Sequence, residues 1–225
     1  MPIHRQLAFD LPVEPRYGRD DFLVSSSNRA AWQMFESWPE WPDRVMLLLG
    51  PTGAGKSHLA DIWAQRAGVK RIEAAALTVA NLEEIGGNGV VLENADLALG
   101  VEAKMFHLLN FIRSSGSYMV ITARQWPDAW GVLVPDLLSR LRMAPVIEIG
   151  EPDDELVRAV LLKLFFDHQI EVDLQVVDYL ALRIERSLDA ARAVVKALDQ
   201  EALERGRRIT RPMAADVLRK MEGQL

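Results

Sequence analysis

Residues Gly50 to Ser57 read Gly-Pro-Thr-Gly-Ala-Gly-Lys-Ser and fill every fixed position of a phosphate-binding loop. Such a loop turns backbone N–H groups inward around phosphate oxygens, because glycine tolerates the backbone angles that this needs. A helix that starts at the loop adds partial positive charge at its N-terminus. Lys56 would neutralise the β- and γ-phosphates, and Ser57 would place its hydroxyl on Mg²⁺. Pro51, Thr52, Gly53, Ala54 and Gly55 form the cradle, and His58 stands next to it, facing phosphate or solvent by position alone. The implied ligand is a nucleoside di- or triphosphate, ADP or ATP.

The loop needs a strand before it and a helix after it. Arg44-Val-Met-Leu-Leu-Leu49 is a short apolar run suited to a buried strand, and His58 to Ala67 reads as a helix. Further strands are predicted at Lys70–Ala74, Gly89–Leu92, Tyr118–Thr122 and Val146–Ile149. Helical spacing covers Asn28–Trp38, Ala103–Arg113 and Pro135–Leu141. Strands alternating with helices predict a parallel sheet covered on both faces. After Gly150-Glu-Pro152 only helical periodicity remains, over Asp153–His168, Leu174–Arg183, Leu188–Arg205 and Pro212–Met221. The expected organisation is an extended tail over 1–16, an α/β base over 17–150 and an all-helical lid over 151–225.

Composition narrows the function classes. The chain of 225 residues has no cysteine, which excludes disulfides and thiolate metal sites and fits a reducing cytoplasm. It contains no apolar run long enough for a membrane helix and no signal-peptide core near its start. Its net charge of −6 argues against broad wrapping of DNA phosphates, so DNA contact is expected to be mostly indirect. The histidines at 4, 58, 107 and 168 lack ligand spacing, so no metal site is expected from them. The tryptophans, Trp126 among them, read as core and corner packing. Arg205, Arg207, Arg208 and Arg211 read as a solvated turn.

A phosphate-loop α/β domain followed by a small helical bundle resembles the AAA+ ATPases, and within them the bacterial replication initiator DnaA. Asp20-Asp21-Phe22-Leu23-Val24 with Ser27-Asn28 looks like the segment that cradles adenine there, which implies nucleotide contacts for Phe22 and Leu23. Leu137-Leu-Ser-Arg-Leu141 looks like the arginine-finger box, and Ile121-Thr-Ala-Arg-Gln-Trp-Pro127 resembles the first sensor. The resemblance covers residues 16 to 225, and the initiator's DNA-binding helix-turn-helix is not in the sequence. Gln6-Leu-Ala-Phe-Asp-Leu11 is similar to the peptide that inserts into the sliding clamp of the replicative polymerase, with Gln6 at the rim and Leu7, Phe9 and Leu11 as apolar anchors.

This combination resembles the Hda family of DnaA-related regulators. The resemblance implies an AAA+ phosphate-loop fold with a five-stranded parallel sheet base and a helical lid. It also implies a dimer-prone chain that docks on the clamp and triggers ATP hydrolysis on DnaA. Arg140 is then the finger supplied in trans, with Arg142 in reserve.

Several positions depart from the initiator pattern. The acidic pair that ends the second phosphate-site strand is Glu93-Asn94 here; Glu93 can serve Mg²⁺, but Asn94 cannot act as a base. The first-sensor acid falls on Arg124, and the second-sensor arginine falls near Asp189, between Arg186 and Arg192. Slow intrinsic turnover is therefore expected, with the nucleotide held as a conformational ligand. Two rival readings remain open: an initiator-like or helicase-loader ATPase acting on DNA, and a nucleotide-gated clamp scaffold.

Overall fold

The computed structural model describes residues 18–78, 85, 89–98 and 100–223. Their contacts divide them into two compact units, 18–153 and 154–223.

The first unit is built on five parallel strands: β1 (Val45–Leu49), β2 (Lys70–Glu73), β3 (Gly89–Glu93), β4 (Tyr118–Ala123) and β5 (Val146–Glu148). Their order is β2-β3-β4-β1-β5, so the strand that leads into the phosphate loop lies inside the sheet. Both expectations, parallel pairing and five strands, hold. Every residue of β1 and β3 is buried, as parallel strands covered on both faces require.

Alternation along the strands splits the core into two layers. Val45, Leu47 and Leu49 pack with Leu92, Met119, Ile121, and with α3 (Glu102–Ser115) and α4 (Pro135–Met143) through Leu108, Ile112, Leu137 and Leu141. Met46 and Leu48 point the other way, with Val91 and Val120, onto α1 (Arg29–Glu36) and α2 (Lys56–Ala67) through Phe35, Leu59 and Trp63. Gly89 opens β3 with φ +129°, and a Cβ there would lie 2.0 Å from the carbonyl oxygen of Tyr118. Only glycine lets β3 and β4 close at that point.

The core accepts most of the tryptophans, but Trp126 is 53% exposed, which corrects the expectation of packing for it. It lies in the turn between β4 and Pro127, after the sheet has ended.

The second unit is helical throughout its regular elements: α5 (Asp154–Asp167), α6 (Leu174–Ala181), α7 (Leu188–Arg205) and α8 (Arg211–Glu222). One apolar cluster joins them, including Leu161, Phe165, Val177, Leu180, Val194, Leu198 and Val217. Asp173 caps α6 by accepting from the N–H of Gln175, and Ser187 caps α7 by accepting from Asp189 and Ala190. Gly206 ends α7 at φ +59°, and Pro212 falls in the first turn of α8. No helix among the described residues is long and apolar enough to cross a membrane.

Candidate phosphate site

The loop after β1 takes the conformation that its glycines permit. Gly53 has φ +70° and Gly55, at the start of α2, has φ +101°. A Cβ on Gly50 would lie 2.4 Å from the carbonyl oxygen of Ile149. Ala54 is buried beneath the loop. Lys56 is 7% exposed, and its Nζ donates to the carbonyl oxygens of Gly50 at 2.7 Å and Pro51 at 2.8 Å. The ammonium thus spans the loop it would serve, where phosphate oxygens could take over as acceptors. Pro51, Thr52, Gly53 and Gly55 keep part of their surface accessible.

The segment before α1 closes against this loop from one side. Phe22 is buried and stacks on Trp32, with ring centroids 5.1 Å apart and planes 12° from parallel. Its edge contact with His58 has centroids 5.2 Å apart. His58 is itself buried, with Nε2 3.4 Å from the carbonyl oxygen of Gly18, so of the two expected surroundings, phosphate or solvent, its side chain does not take solvent. The ring sits there because α2 turns this position onto the Phe22 layer rather than outward. Asn28 fixes the segment by donating to the Leu23 carbonyl and accepting from the N–H of Ser25, each at 2.9 Å. The N–H of Gly150 donates to Ser27 at 2.8 Å, tying the segment to the end of β5.

Glu93 is brought to Ser57, as the sequence suggests, but it does not come alone. The pleat places Glu93 on the α2 face with Val91. Arg71 pairs with Val91 across the parallel ladder and Thr122 shares a face with Val120, so both reach the same face. Glu93 is 2% exposed. Its Oε2 accepts from Thr122 Oγ1 at 2.6 Å and from Ser57 Oγ at 3.1 Å. Its Oε1 lies 3.0 Å from Nη2 of Arg71, whose Nη1 donates to Asp61 on α2, also at 3.0 Å. Burial works to lower the Arg71 pKa, but the hydrogen bond from Arg71 to Asp61 and the charges of Glu93 and Asp61 outweigh it and raise it. Arg71 is therefore a permanent cation.

Thr122 also accepts from the N–H of Asn94 at 3.0 Å. Asn94 takes a left-handed φ of +55° and its amide donates to Glu73 at 3.0 Å. Sequence reasoning missed Arg71 and Thr122 as site residues. A threonine inside the apolar run Tyr118–Ala123 was the available signal, since a buried hydroxyl needs a partner.

Other basic positions are distributed differently. Arg124 donates to Asp96 at 2.7 Å. Arg142 grips Asp128, which raises the Arg142 pKa and lowers that of Asp128 through their hydrogen bond. Arg140 instead lays its guanidinium over the ring of Phe106, 4.9 Å from the centroid, and makes no ion pair among the described residues. In the helical unit, Arg186 pairs with Asp154 and Arg192 with Asp189. The clamp-peptide residues Gln6, Leu7, Phe9 and Leu11 lie outside the described residues. No group of three or more His, Cys, Asp or Glu side chains that could hold a metal occurs among the described residues.

No family model matches the chain. In sequence it is similar to the chromosomal replication initiator DnaA of Flavobacterium psychrophilum, 21% identical over 247 aligned positions that take in 98% of the chain and 52% of that protein. An uncharacterized protein of Haemophilus influenzae is 25% identical and matches nearly end to end, over 97% of the chain and 96% of its own length. The chain spans about half the length of the DnaA relatives it matches. In structure it is similar to domain III of Thermotoga maritima DnaA, with a TM-score of 0.79 and 17% identity over 93% of the chain and 98% of that domain. A DnaA bound to AMPPCP and single-stranded DNA matches with a TM-score of 0.68 and 19% identity over 85% of the chain and 68% of its own. The Thermotoga maritima RuvB branch-migration motor gives 0.71 and 15% over 91% and 72%. The chain has a DnaA-like AAA+ fold, that of DnaA domain III.

Proposed function

We propose that this protein is a negative regulator of chromosomal replication initiation, which docks on the polymerase sliding clamp and stimulates ATP hydrolysis by a DnaA initiator. Arg140 is lent across the boundary to the γ-phosphate on DnaA, while the chain's own loop holds ADP or ATP as a conformational ligand. The observation that carries this reading is the state of Arg140. Its guanidinium rests on an aromatic face with no carboxylate partner among the described residues, while Arg142, two residues on, is committed to Asp128. A charge kept unpaired and positioned by a ring is suited to a partner's phosphate.

The hydrolytic side of the chain's own site supports the same reading. Asn94 stands where a base would, with its amide engaged by Glu73, and an amide cannot take a proton from water. Neighbours in fold include a DnaA bound to the ATP analogue AMPPCP, which favours nucleotide in this loop too. The tail residues Gln6, Leu7, Phe9 and Leu11 enter as the clamp contact, and DNA enters indirectly, through the clamp loaded on it.

The test follows phosphate release from ATP-loaded DnaA in the presence of this protein, clamp and DNA. Stimulation is expected, and Arg140→Ala should abolish it while leaving nucleotide and clamp binding intact. A Gln6→Ala, Leu7→Ala double variant should lose the clamp in a pull-down and lose stimulation with it. Unchanged DnaA turnover in the presence of the wild-type chain would refute the proposal. Turnover of the chain's own ATP at a rate typical of AAA+ motors would favour the loader reading instead.

A further inference from the structure

We infer that Arg71 takes the place of a divalent metal beside the phosphate loop, so that this chain binds nucleoside diphosphate without Mg²⁺. The inference rests on the nucleotide reading of the loop and goes beyond it, because it concerns which cation the site uses.

The geometry is specific. A carboxylate that serves a phosphate-bound metal must offer an oxygen to the ion or to its water shell. Glu93 is nearly fully buried, with Oε2 taken by two hydrogen bonds and Oε1 held in an ion pair but in no hydrogen bond. Oε2 accepts from the Ser57 and Thr122 hydroxyls, and Oε1 faces the Arg71 guanidinium at 3.0 Å. Ser57, the other expected metal donor, is hydrogen-bonded to the same carboxylate, and its oxygen keeps its lone pairs. The neighbouring position that could have supplied a second carboxylate is Asn94, whose amide is donated to Glu73. A metal entering here would have to displace the Arg71 guanidinium, whose side chain is 35% exposed, from a buried carboxylate, against their attraction.

Arg71 is also held from behind. Asp61 on α2 takes its other terminal nitrogen at 3.0 Å, so the guanidinium bridges β2, α2 and β3. That arrangement places a permanent positive charge against the acid that ordinarily anchors the ion. Glu93, the carboxylate expected for Mg²⁺, therefore fits an internal cation better than a bound metal.

The test uses the full chain and a fluorescent ADP analogue, titrated with Mg²⁺ and again with EDTA. Wild type should give the same affinity in both. Arg71→Gln should become metal-sensitive, with binding at least about tenfold weaker in EDTA than in Mg²⁺. Arg71→Lys should keep the wild-type behaviour, which a merely structural role for the side chain would not predict. Electron paramagnetic resonance of Mn²⁺ with ADP gives a second readout: no protein-ordered Mn²⁺ on wild type, and ordered Mn²⁺ on Arg71→Gln. Wild-type affinity that collapses in EDTA, or ordered Mn²⁺ on the wild-type complex, overturns the inference and leaves the nucleotide reading standing. Absence of ADP binding under both conditions overturns both. Should Arg71→Gln fail to fold by circular dichroism, the wild-type titration and the Mn²⁺ spectrum still decide.

Discussion

Lys56 and Arg140 are two cations of one fold held in different ways. Lys56 is buried and bridges two carbonyls of its own loop, so it can exchange them for phosphate oxygens with little rearrangement. Lys56→Ala should therefore weaken ADP binding by about tenfold or more in an equilibrium titration, since a charge-assisted contact is worth roughly 1.5–3 kcal/mol. Arg140 keeps its charge over Phe106. Arg140→Lys should restore little of the stimulation lost in Arg140→Ala, because an arginine finger contributes about 10³–10⁵ in rate and ammonium lacks the planar fork. The loop at 50–57 was legible from residue type and spacing. The contacts of Glu93 with Arg71 and Thr122 were not, since these come from separate stretches of chain that local pattern does not connect.

Among the elements, the strands were the most legible, because β1 and β4 are apolar runs bounded by turn residues. β2 reads Lys-Arg-Ile-Glu and is exposed at the sheet edge except for the half-buried Ile72, so its place was set by pairing with β3 rather than by hydrophobicity. The joint between β3 and β4 depends on Gly89. Gly89→Ala should destabilise the first unit by about 3 kcal/mol in urea denaturation, because the added carbon meets a backbone oxygen and the φ is unfavourable. In the helical unit the weak points are the caps. Ser187→Ala removes the side-chain acceptor for two N–H groups at the start of α7 and should cost ~1 kcal/mol, read as a lower midpoint for that unit. The helix ends could be foreseen from Asp173, Ser187, Gly206 and Pro212. The burial of His58 could not, since it depends on Phe22 arriving from outside α2.

For the molecule as a whole, nucleotide binding to the first unit should appear as stability. Saturating ADP is expected to raise the melting temperature of the wild-type chain, by mass action worth about 2.7 kcal/mol at a hundredfold excess over Kd, and to raise that of Lys56→Ala by at most about half as much at the same concentration. Deleting residues 1–16 should keep that shift while removing clamp capture in a pull-down, which separates the loop from the tail. Two apolar clusters, one on each face of the sheet, and a third among α5–α8 explain why the chain tolerates a net charge of −6 and still packs. By itself the amino-acid sequence determined the glycine loop, the alternation of strands and helices, and the change to helices alone after residue 152, because these follow from backbone freedom and from periodicity within short stretches. Only the tertiary structure decided which charges meet. A parallel sheet aligns residues far apart in the chain on one face, and that alignment put a guanidinium against the acid beside Ser57 while leaving Arg140 on an aromatic ring.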